Sequence, residues 1–94
     1  MSEDGRMERE VRVVNRAGMH ARPAAEFVKI AGRFSAEITV EKDGLEVNGK
    51  SIMGVLMLAA EQGSRLRLTA QGIDAAQALE ALAELVNGGF EEAY

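Results

Sequence analysis

The stretch "NRAGMHARPAAEFVKIA", residues 15–31, changes from a loop pattern to a helical pattern within a few positions. Pro23 is the only proline in the chain, and a helix tolerates proline in its first turn, where the missing N–H has no partner to lose. Apolar residues then recur three and four positions apart, which predicts one buried stripe: Ala24, Phe27, Val28 and Ala31. We therefore expect a helix that begins at about Ala21, with His20 at or beside its N-cap.

Strand patterns lie on both sides of this helix. "REVRVV" alternates polar and apolar residues, with Val11 and Val13 predicted on the buried face. "AEITVEKDGLEVNG" predicts a hairpin that turns at Asp43 and Gly44. "SRLRLTAQG" alternates again. The predicted inward residues of the last two segments are Ile38, Val40, Leu45, Val47, Leu66, Leu68 and Ala70.

Two further helices are predicted. "SIMGVLMLAAEQG" indicates a short helix capped by Ser51 and closed near Gly63, with Val55, Leu58 and Ala59 facing the core. The last helix runs from an Asp74 N-cap to about Asn87, and "GG" ends it. Its predicted buried face consists of Ala75, Ala78, Leu79, Leu82 and Val86.

The resulting order is β-α-β-β-α-β-α, which predicts an α+β fold. We expect an open-faced β-sandwich, in which three helices cover one face of a four-stranded, largely antiparallel sheet. Residues 8–88 form the predicted domain. Residues 1–7 are expected to be a flexible N-terminal extension, and residues 89–94 a loosely held C-terminal tail.

Composition narrows the possible functions. The chain has 94 residues, 47% of them hydrophobic, so one domain with an aliphatic core is expected. It contains no cysteine, which excludes disulfides and Cys-ligated metal centres. No apolar run approaches the ~20 residues of a membrane span, and the charged N-terminus does not resemble a signal peptide. We expect a cytoplasmic protein that does not insert into membranes.

Charge is distributed unevenly along the chain. The net charge of −4 disfavours a nucleic-acid partner, because phosphate neutralisation requires an excess of basic residues. Residues 15–34 nevertheless carry four basic residues against one acidic residue, whereas residues 51–94 carry two against six. Such a basic cluster is usually only a solvated helix face. The only histidine of the chain, His20, lies inside it.

His20 and its neighbours suit phosphoryl chemistry. The free N–H groups of Ala21 and Arg22, with the positive end of the helix dipole, would form an anion site. Arg22 adds a planar donor fork that matches phosphate oxygens. Imidazole is a competent nucleophile that can form a covalent intermediate. The pattern therefore fits a histidine that transiently carries a phosphoryl group.

Other interpretations of His20 remain open on spacing alone. The ring could cap the helix or lie in solvent without a role. A metal site is disfavoured because a single histidine without cysteine would need carboxylates that the local sequence does not supply. A hydrolytic triad is disfavoured because no serine or aspartate lies at a recognisable elbow.

Two segments resemble one family. "GMHARPAAEFVK" is similar to the active-site segment of HPr, the histidine-containing phosphocarrier of the phosphoenolpyruvate-dependent sugar phosphotransferase system. "NGKSIMGVLML" is similar to the second helix of the same family, including its regulatory serine. The likeness extends from about Glu8 to Val86, and the order of strands and helices matches.

The resemblance implies a role for each matching residue. His20 would accept phosphate on Nδ1 from enzyme I and pass it to EIIA domains, with Arg22 as the active-site arginine. Ser51 would be phosphorylated by an HPr kinase. The family works without a cofactor or metal, and we expect a monomer.

The second predicted helix is apolar on nearly all sides, so part of it should face water. We expect Ile52, Met53 and Leu56 to form a docking surface for phosphoryl donor and acceptors, rimmed by Arg22, Lys29 and Lys50. The alternative is that Met53 and Leu56 complete the core. At the level of function, the alternative to a carrier is a regulatory HPr-like protein, nitrogen-related or kinase-controlled, that acts mainly by binding other proteins.

Overall fold

The computed structural model describes residues 5–92 of the chain. Four strands and three α-helices follow one another in the predicted order: β1 Arg6–Arg12, α1 Ala21–Ala31, β2 Glu37–Lys42, β3 Leu45–Asn48, α2 Ile52–Met57, β4 Arg65–Gln71 and α3 Ala75–Asn87. A 3₁₀ turn, Gly89–Glu91, follows α3. Within the described residues, no helix has the length and hydropathy needed to cross a bilayer.

The strands form one antiparallel sheet in the spatial order β1-β4-β2-β3. Alternate residues of β4, Leu66, Leu68 and Ala70, are buried under the helices, while the residues between them point to the open face. Phe27 of α1 and Leu82 of α3 are fully buried against this layer. The predicted open-faced α+β sandwich is confirmed.

The β2–β3 hairpin turns at Asp43 and Gly44, which have φ values of 52° and 89°. Two successive positive φ values match the tight turn that aspartate and glycine favour. Leu45 was expected to be buried, but its side chain is 45% exposed. It lies at the start of the edge strand β3, opposite Lys42, beyond the cover that the helices provide.

The first strand begins earlier than the sequence indicated. Arg6 and Met7, assigned to the flexible extension, pair with Gln71 and Ala70 because β4 is long enough to supply partners for them. Residues 1–4 of the expected extension lie outside the described residues.

Helix α2 is shorter than expected. It ends at Met57, not near Gly63, and Ala59 has a left-handed backbone with φ 49°. Helical spacing no longer applies there, so Ala59 is exposed and Ala60 is buried in its place. The expectation that Ala59 faces the core is therefore wrong, whereas Val55 and Leu58 are buried as expected.

Asp74 lies at the N-cap of α3 but does not cap it through its side chain. Its carboxylate accepts hydrogen bonds from the backbone N–H groups of Ser35 and Ala36, both at 2.8 Å. These bonds lower the pKa of Asp74, with a smaller contribution from the charge of Lys50. Asp74 thus joins the start of α3 to the segment that follows α1.

Candidate functional site

The backbone places His20 directly before α1. His20 is extended, with φ −84° and ψ −168°, and its carbonyl accepts the first helical hydrogen bond, from Ala24 N–H at 2.9 Å. Pro23 lies in the first turn, as predicted. The imidazole makes no hydrogen bond to the helix, so the possibility that it serves as a side-chain cap is wrong. The side chain is 44% exposed and can be reached from solvent.

A carboxylate joins the imidazole to the guanidinium. Glu92 Oε2 lies 3.0 Å from His20 Nε2 and 2.9 Å from Arg22 Nη2. Arg22 Nε also donates to the same oxygen, at 3.2 Å. His20 and Arg22 therefore lie together, as predicted, but Glu92 joins them, and the sequence had assigned Glu92 to a loosely held C-terminal tail.

Arg22 is held by three groups. Besides Glu92, its Nη1 donates to Glu26 Oε1 at 3.0 Å, four residues along α1, and its Nη2 donates to the carbonyl of Phe90 at 3.0 Å. The hydrogen bond to Glu92, with smaller contributions from its charge and from Glu26, raises the pKa of Arg22. The guanidinium is thus fixed beside the ring.

Glu92 is ionised at neutral pH. Hydrogen bonds from Arg22, from Asn15 and from His20 lower the pKa of its carboxyl from 4.5 to about 2, against an opposing effect of burial. Asn15 is buried, and its Nδ2 donates to Glu92 Oε1 at 2.9 Å and to the Gly18 carbonyl at 2.8 Å. Asn15 Oδ1 has no hydrogen-bond partner among residues 5–92.

The C-terminal segment, Gly89–Glu92, differs from the expected loose tail. Phe90 is buried, with 2% of its surface exposed, and its carbonyl accepts from Arg22. Gly89, Phe90 and Glu91 all have left-handed φ values, of 73°, 57° and 61°. The buried ring and the hydrogen bonds hold this backbone, so the expectation of a loose segment is wrong for residues 89–92. Residues 93 and 94 lie outside the described part of the chain.

The loop before His20 is fixed to the end of the α2 region. Met19 is buried, and its N–H donates to the carbonyl of Ala60 at 2.9 Å. Gly18 has φ 74°, and a Cβ atom there would lie 2.7 Å from the same carbonyl oxygen. Only glycine fits this contact, which joins the loop before His20 to the segment that follows α2.

Ser51 is the N-cap of α2, as predicted. Its Oγ accepts from Gly54 N–H at 3.0 Å. Ile52 and Met53 are exposed by 43% and 71%, as expected, and Met57, which the sequence analysis did not single out, is exposed by 65%. We call these three residues the α2 patch. Leu56 is different, because it is half-buried against the core.

The two lysines of the predicted rim are placed differently. Lys29 is exposed in the last turn of α1. Lys50 is half-buried, and its ammonium donates to the carbonyl of Phe34 at 2.7 Å, near the end of α1. Lys50 therefore already has a partner within the chain. A docking role for either residue remains a prediction.

Sequence reasoning missed Glu92, Asn15 and Phe90 at this site. Phe90 gave the one usable signal, since the chain has only three phenylalanines and a large apolar residue just after a helix is often buried. No local pattern connects Glu92 to His20, because they are 72 residues apart in sequence.

Comparison with known proteins identifies the family of the chain. A family profile described as "PTS HPr component phosphorylation site" matches residues 7–88. Phosphocarrier protein HPr of Treponema pallidum is 51% identical over 87% of this chain and 93% of its own length. HPr of Neisseria meningitidis is 42% identical over 92% and 97%, and the HPr-like protein Crh of Halalkalibacterium halodurans 50% over 81% and 90%.

Solved structures show the same architecture. HPr from Thermoanaerobacter tengcongensis superposes with a TM-score of 0.90 at 44% identity, covering 94% of this chain and 99% of that one. HPr from Bacillus anthracis gives 0.83 at 51% identity, covering 86% and 96%. Crh from Bacillus subtilis, described as a dimer with a swapped domain, gives 0.72 at 49% identity, covering 83% and 90%.

The open-faced sandwich, the family profile and the relatives named phosphocarrier proteins together define a class of small phosphocarrier proteins, which are not themselves catalysts. The chain belongs to the HPr family of the phosphotransferase system.

Proposed function

We propose that His20 carries the phosphoryl group. The supporting observation is the position of its imidazole, which is 44% exposed at the N-terminus of α1 and linked to Arg22 through one carboxylate oxygen. Phosphoryl transfer depends on positioning and charge stabilisation more than on acid–base chemistry, so an exposed nucleophile beside a guanidinium meets its main needs.

His20 and the groups around it would have different roles in phosphoryl transfer. The imidazole supplies the nucleophile, and the N–H groups at the start of α1 stabilise negative charge on the incoming group. Arg22 would contribute the remaining donors. Because its Nε and Nη2 are engaged by Glu92, direct contact between these atoms and a phosphoryl group would require at least part of that bridge to open.

We further propose phospho-enzyme I as donor and EIIA domains as acceptors. The α2 patch supports docking of such partners, because it is apolar and exposed, and the segment that follows α2 is hydrogen-bonded to the His20 loop through Met19 and Ala60. Exposed apolar clusters are typical of partner surfaces, and methionine adapts to partners of different shape. A cytoplasmic location and a monomeric state remain predictions. A swapped dimer like that described for Crh is the alternative to the monomer.

Incubation with phosphoenolpyruvate and enzyme I, followed by intact-mass measurement, tests the carrier role. We expect an acid-labile gain of one phosphoryl group. His20→Ala should abolish the gain, and Arg16→Ala, which changes another arginine of the same basic stretch, should retain it. Unchanged mass in the wild type, or a gain that survives His20→Ala, would contradict the proposal. Size-exclusion chromatography of the same samples tests the monomer.

Ser51 supports a second, regulatory function. It adjoins the α2 patch, and a phosphate on its Oγ would bring about −1.5 to −2 charges to an apolar surface at neutral pH. We propose that an HPr kinase/phosphorylase modifies Ser51 and thereby weakens docking. An ATP-dependent, acid-stable mass gain lost in Ser51→Ala would support this. If that gain occurs and the His20 gain does not, the chain is a regulatory protein that acts by binding.

A further inference from the structure

We infer that Glu92 is a positioning residue for phosphoryl transfer: its carboxylate holds His20 in the tautomer that carries hydrogen on Nε2 and leaves Nδ1 free to react. The inference rests on the proposed carrier function and adds to it a residue, outside the recognised motifs, that acts on His20.

The first argument is the donor–acceptor chemistry of the bridge. An ionised carboxylate has only acceptor atoms, so in a hydrogen bond with Glu92 Oε2 the hydrogen must belong to His20 Nε2. A neutral imidazole carries hydrogen on only one of its two nitrogens, so the other nitrogen has a free lone pair. Nδ1 is that nitrogen.

The second argument is that Glu92 is itself held. Its Oε1 accepts from the buried amide of Asn15, and its Oε2 accepts from two nitrogens of Arg22. Only 18% of its side chain is exposed, although it lies near the end of the described chain. A carboxylate with four donors around it cannot rotate freely, so it can fix the ring it contacts.

The third argument is the backbone that delivers Glu92. Phe90 and Glu91 are non-glycine residues with left-handed φ values, a conformation that is sterically unfavourable for any residue with a Cβ atom. The burial of Phe90, and the hydrogen bond from Glu92 N–H to the Gly89 carbonyl at 3.0 Å, stabilise this segment. Strained backbone that the surrounding structure maintains is typical of functional sites.

The transfer step balances with these roles. The lone pair of Nδ1 forms the new nitrogen–phosphorus bond, while the bond between phosphorus and the donor breaks and its electron pair stays with the donor. Nε2 keeps its hydrogen, and the ring gains positive charge. Glu92 stabilises that charge through Nε2–H, as the carboxylate of a catalytic triad stabilises its imidazolium. Transfer to the acceptor reverses the same step.

Glu92→Ala removes the acceptor, and Glu91→Ala is the matched control, because Glu91 is the exposed neighbour with the same charge. Glu92→Gln retains a hydrogen-bond acceptor on a side chain of the same length but removes its charge. The first readout needs no partner protein: ¹⁵N NMR of the neutral ring. We expect a hydrogen-bonded Nε2–H signal in the wild type, Glu92→Gln and Glu91→Ala. In Glu92→Ala this signal should be lost and the Nδ1–H tautomer should increase.

The second readout is the rate of phosphorylation by enzyme I. We expect kcat to fall about tenfold in Glu92→Ala with KM unchanged, because Glu92 acts through His20 and not on the donor. The loss should be far below the ~10⁴-fold known for a buried triad carboxylate, since this site is solvated. Glu92→Gln should recover most of the rate, and Glu91→Ala should match the wild type.

Three results would overturn the inference: a wild type that holds hydrogen mainly on Nδ1, an unchanged ring signal in Glu92→Ala, or faster phosphorylation of Glu92→Ala. The last would show that Glu92 competes with the phosphoryl group for Arg22. If the wild type is not phosphorylated, the carrier function fails, whereas the NMR comparison still decides what Glu92 does to the ring.

Discussion

Single residues connect distant parts of the chain at this site. Glu92, near the end of the described chain, accepts hydrogen bonds from His20 and Arg22 at the start of α1. These hydrogen bonds favour the ionised form of Glu92 and lower the pKa of its carboxyl to about 2. The same bonds should therefore make folding stability depend on pH.

The pH dependence has a definite sign. The pKa of Glu92 falls from 4.5 to about 2 on folding, so its contribution is present in full above about pH 4.5 and is lost as the pH falls towards 2. We expect Glu92→Ala to be less stable than the wild type at neutral pH, with the difference shrinking in acid. Urea unfolding at neutral pH and near pH 2 measures this. Glu91→Ala is the control, and an equal difference at both pH values would contradict the prediction.

Ser51 should separate helix capping from regulation. Ser51→Ala removes the acceptor for Gly54 N–H and should lower the free energy of unfolding by about 1 kcal/mol. Ser51→Asp should stay within a few tenths of wild type, because aspartate is an equally good N-cap. Urea unfolding checks both, with Ser35→Ala as the exposed-serine control. A destabilised Ser51→Asp would show that the added charge itself disturbs α2.

His20, Arg22 and Ser51 could be found from the sequence because local patterns mark them: a proline in a first turn, a basic stretch and a helix cap. Glu92 could not, because its role depends on a tertiary contact made by a backbone that few residues adopt. Asn15 likewise could not be recognised from the sequence, because its side chain belongs to this site only through its hydrogen bond to Glu92.

Among the elements, periodicity predicted best where one face is buried. In α1, Ala24, Phe27 and Ala31 are buried as predicted, while Val28 is half-buried. The alternation of β4 lies as predicted, because the strand packs one side against the core. Predictions failed where elements end. Helix α2 stops at Met57, and Leu45 lies at the end of an edge strand, where burial no longer follows the period.

The end of α2 offers a test by substitution. Ala59 is exposed with φ 49°, a conformation that glycine adopts without steric cost. We expect Ala59→Gly to raise the free energy of unfolding by about 0.5–1 kcal/mol. The control is Ala25→Gly, on the exposed side of α1, which should lower it by about 1 kcal/mol. Thermal and urea unfolding measure both, and destabilisation of similar size in the two variants would contradict the assignment.

At the scale of the whole molecule, the basic stretch and the exposed apolar patch lie on neighbouring parts of the fold. The basic stretch that contains His20 covers α1 and the residues on either side of it, and the α2 patch lies on the helix beside α1. Most acidic residues occur elsewhere in the sequence. Composition predicted this asymmetry, but only the fold shows that the patch is Ile52, Met53 and Met57, with Leu56 half in the core.

Met53→Glu tests the docking surface. With 71% of the side chain exposed, the substitution should leave the melting temperature nearly unchanged. It should lower kcat/KM for phosphorylation by enzyme I about tenfold, mainly through KM, because a charge would be buried at the contact. Ile73→Glu is the control, because it also replaces an apolar residue by an acidic one, at a position that is 95% exposed and lies outside the patch. It should have little effect on phosphorylation. Equal loss of stability and transfer in Met53→Glu would instead favour a role in the core.

The close contact at Gly18 affects how a partner docked on the α2 patch would approach the imidazole. A Cβ atom at Gly18 would lie only 2.7 Å from Ala60 O, so the loop before His20 and the segment that follows α2 pack against each other with no room for a side chain. Under the proposed docking on the α2 patch, this packing would hold the backbone before His20 in a constant place relative to the docked partner. The orientation of the imidazole itself would then depend on its bridge to Glu92 and not on the contact at Gly18.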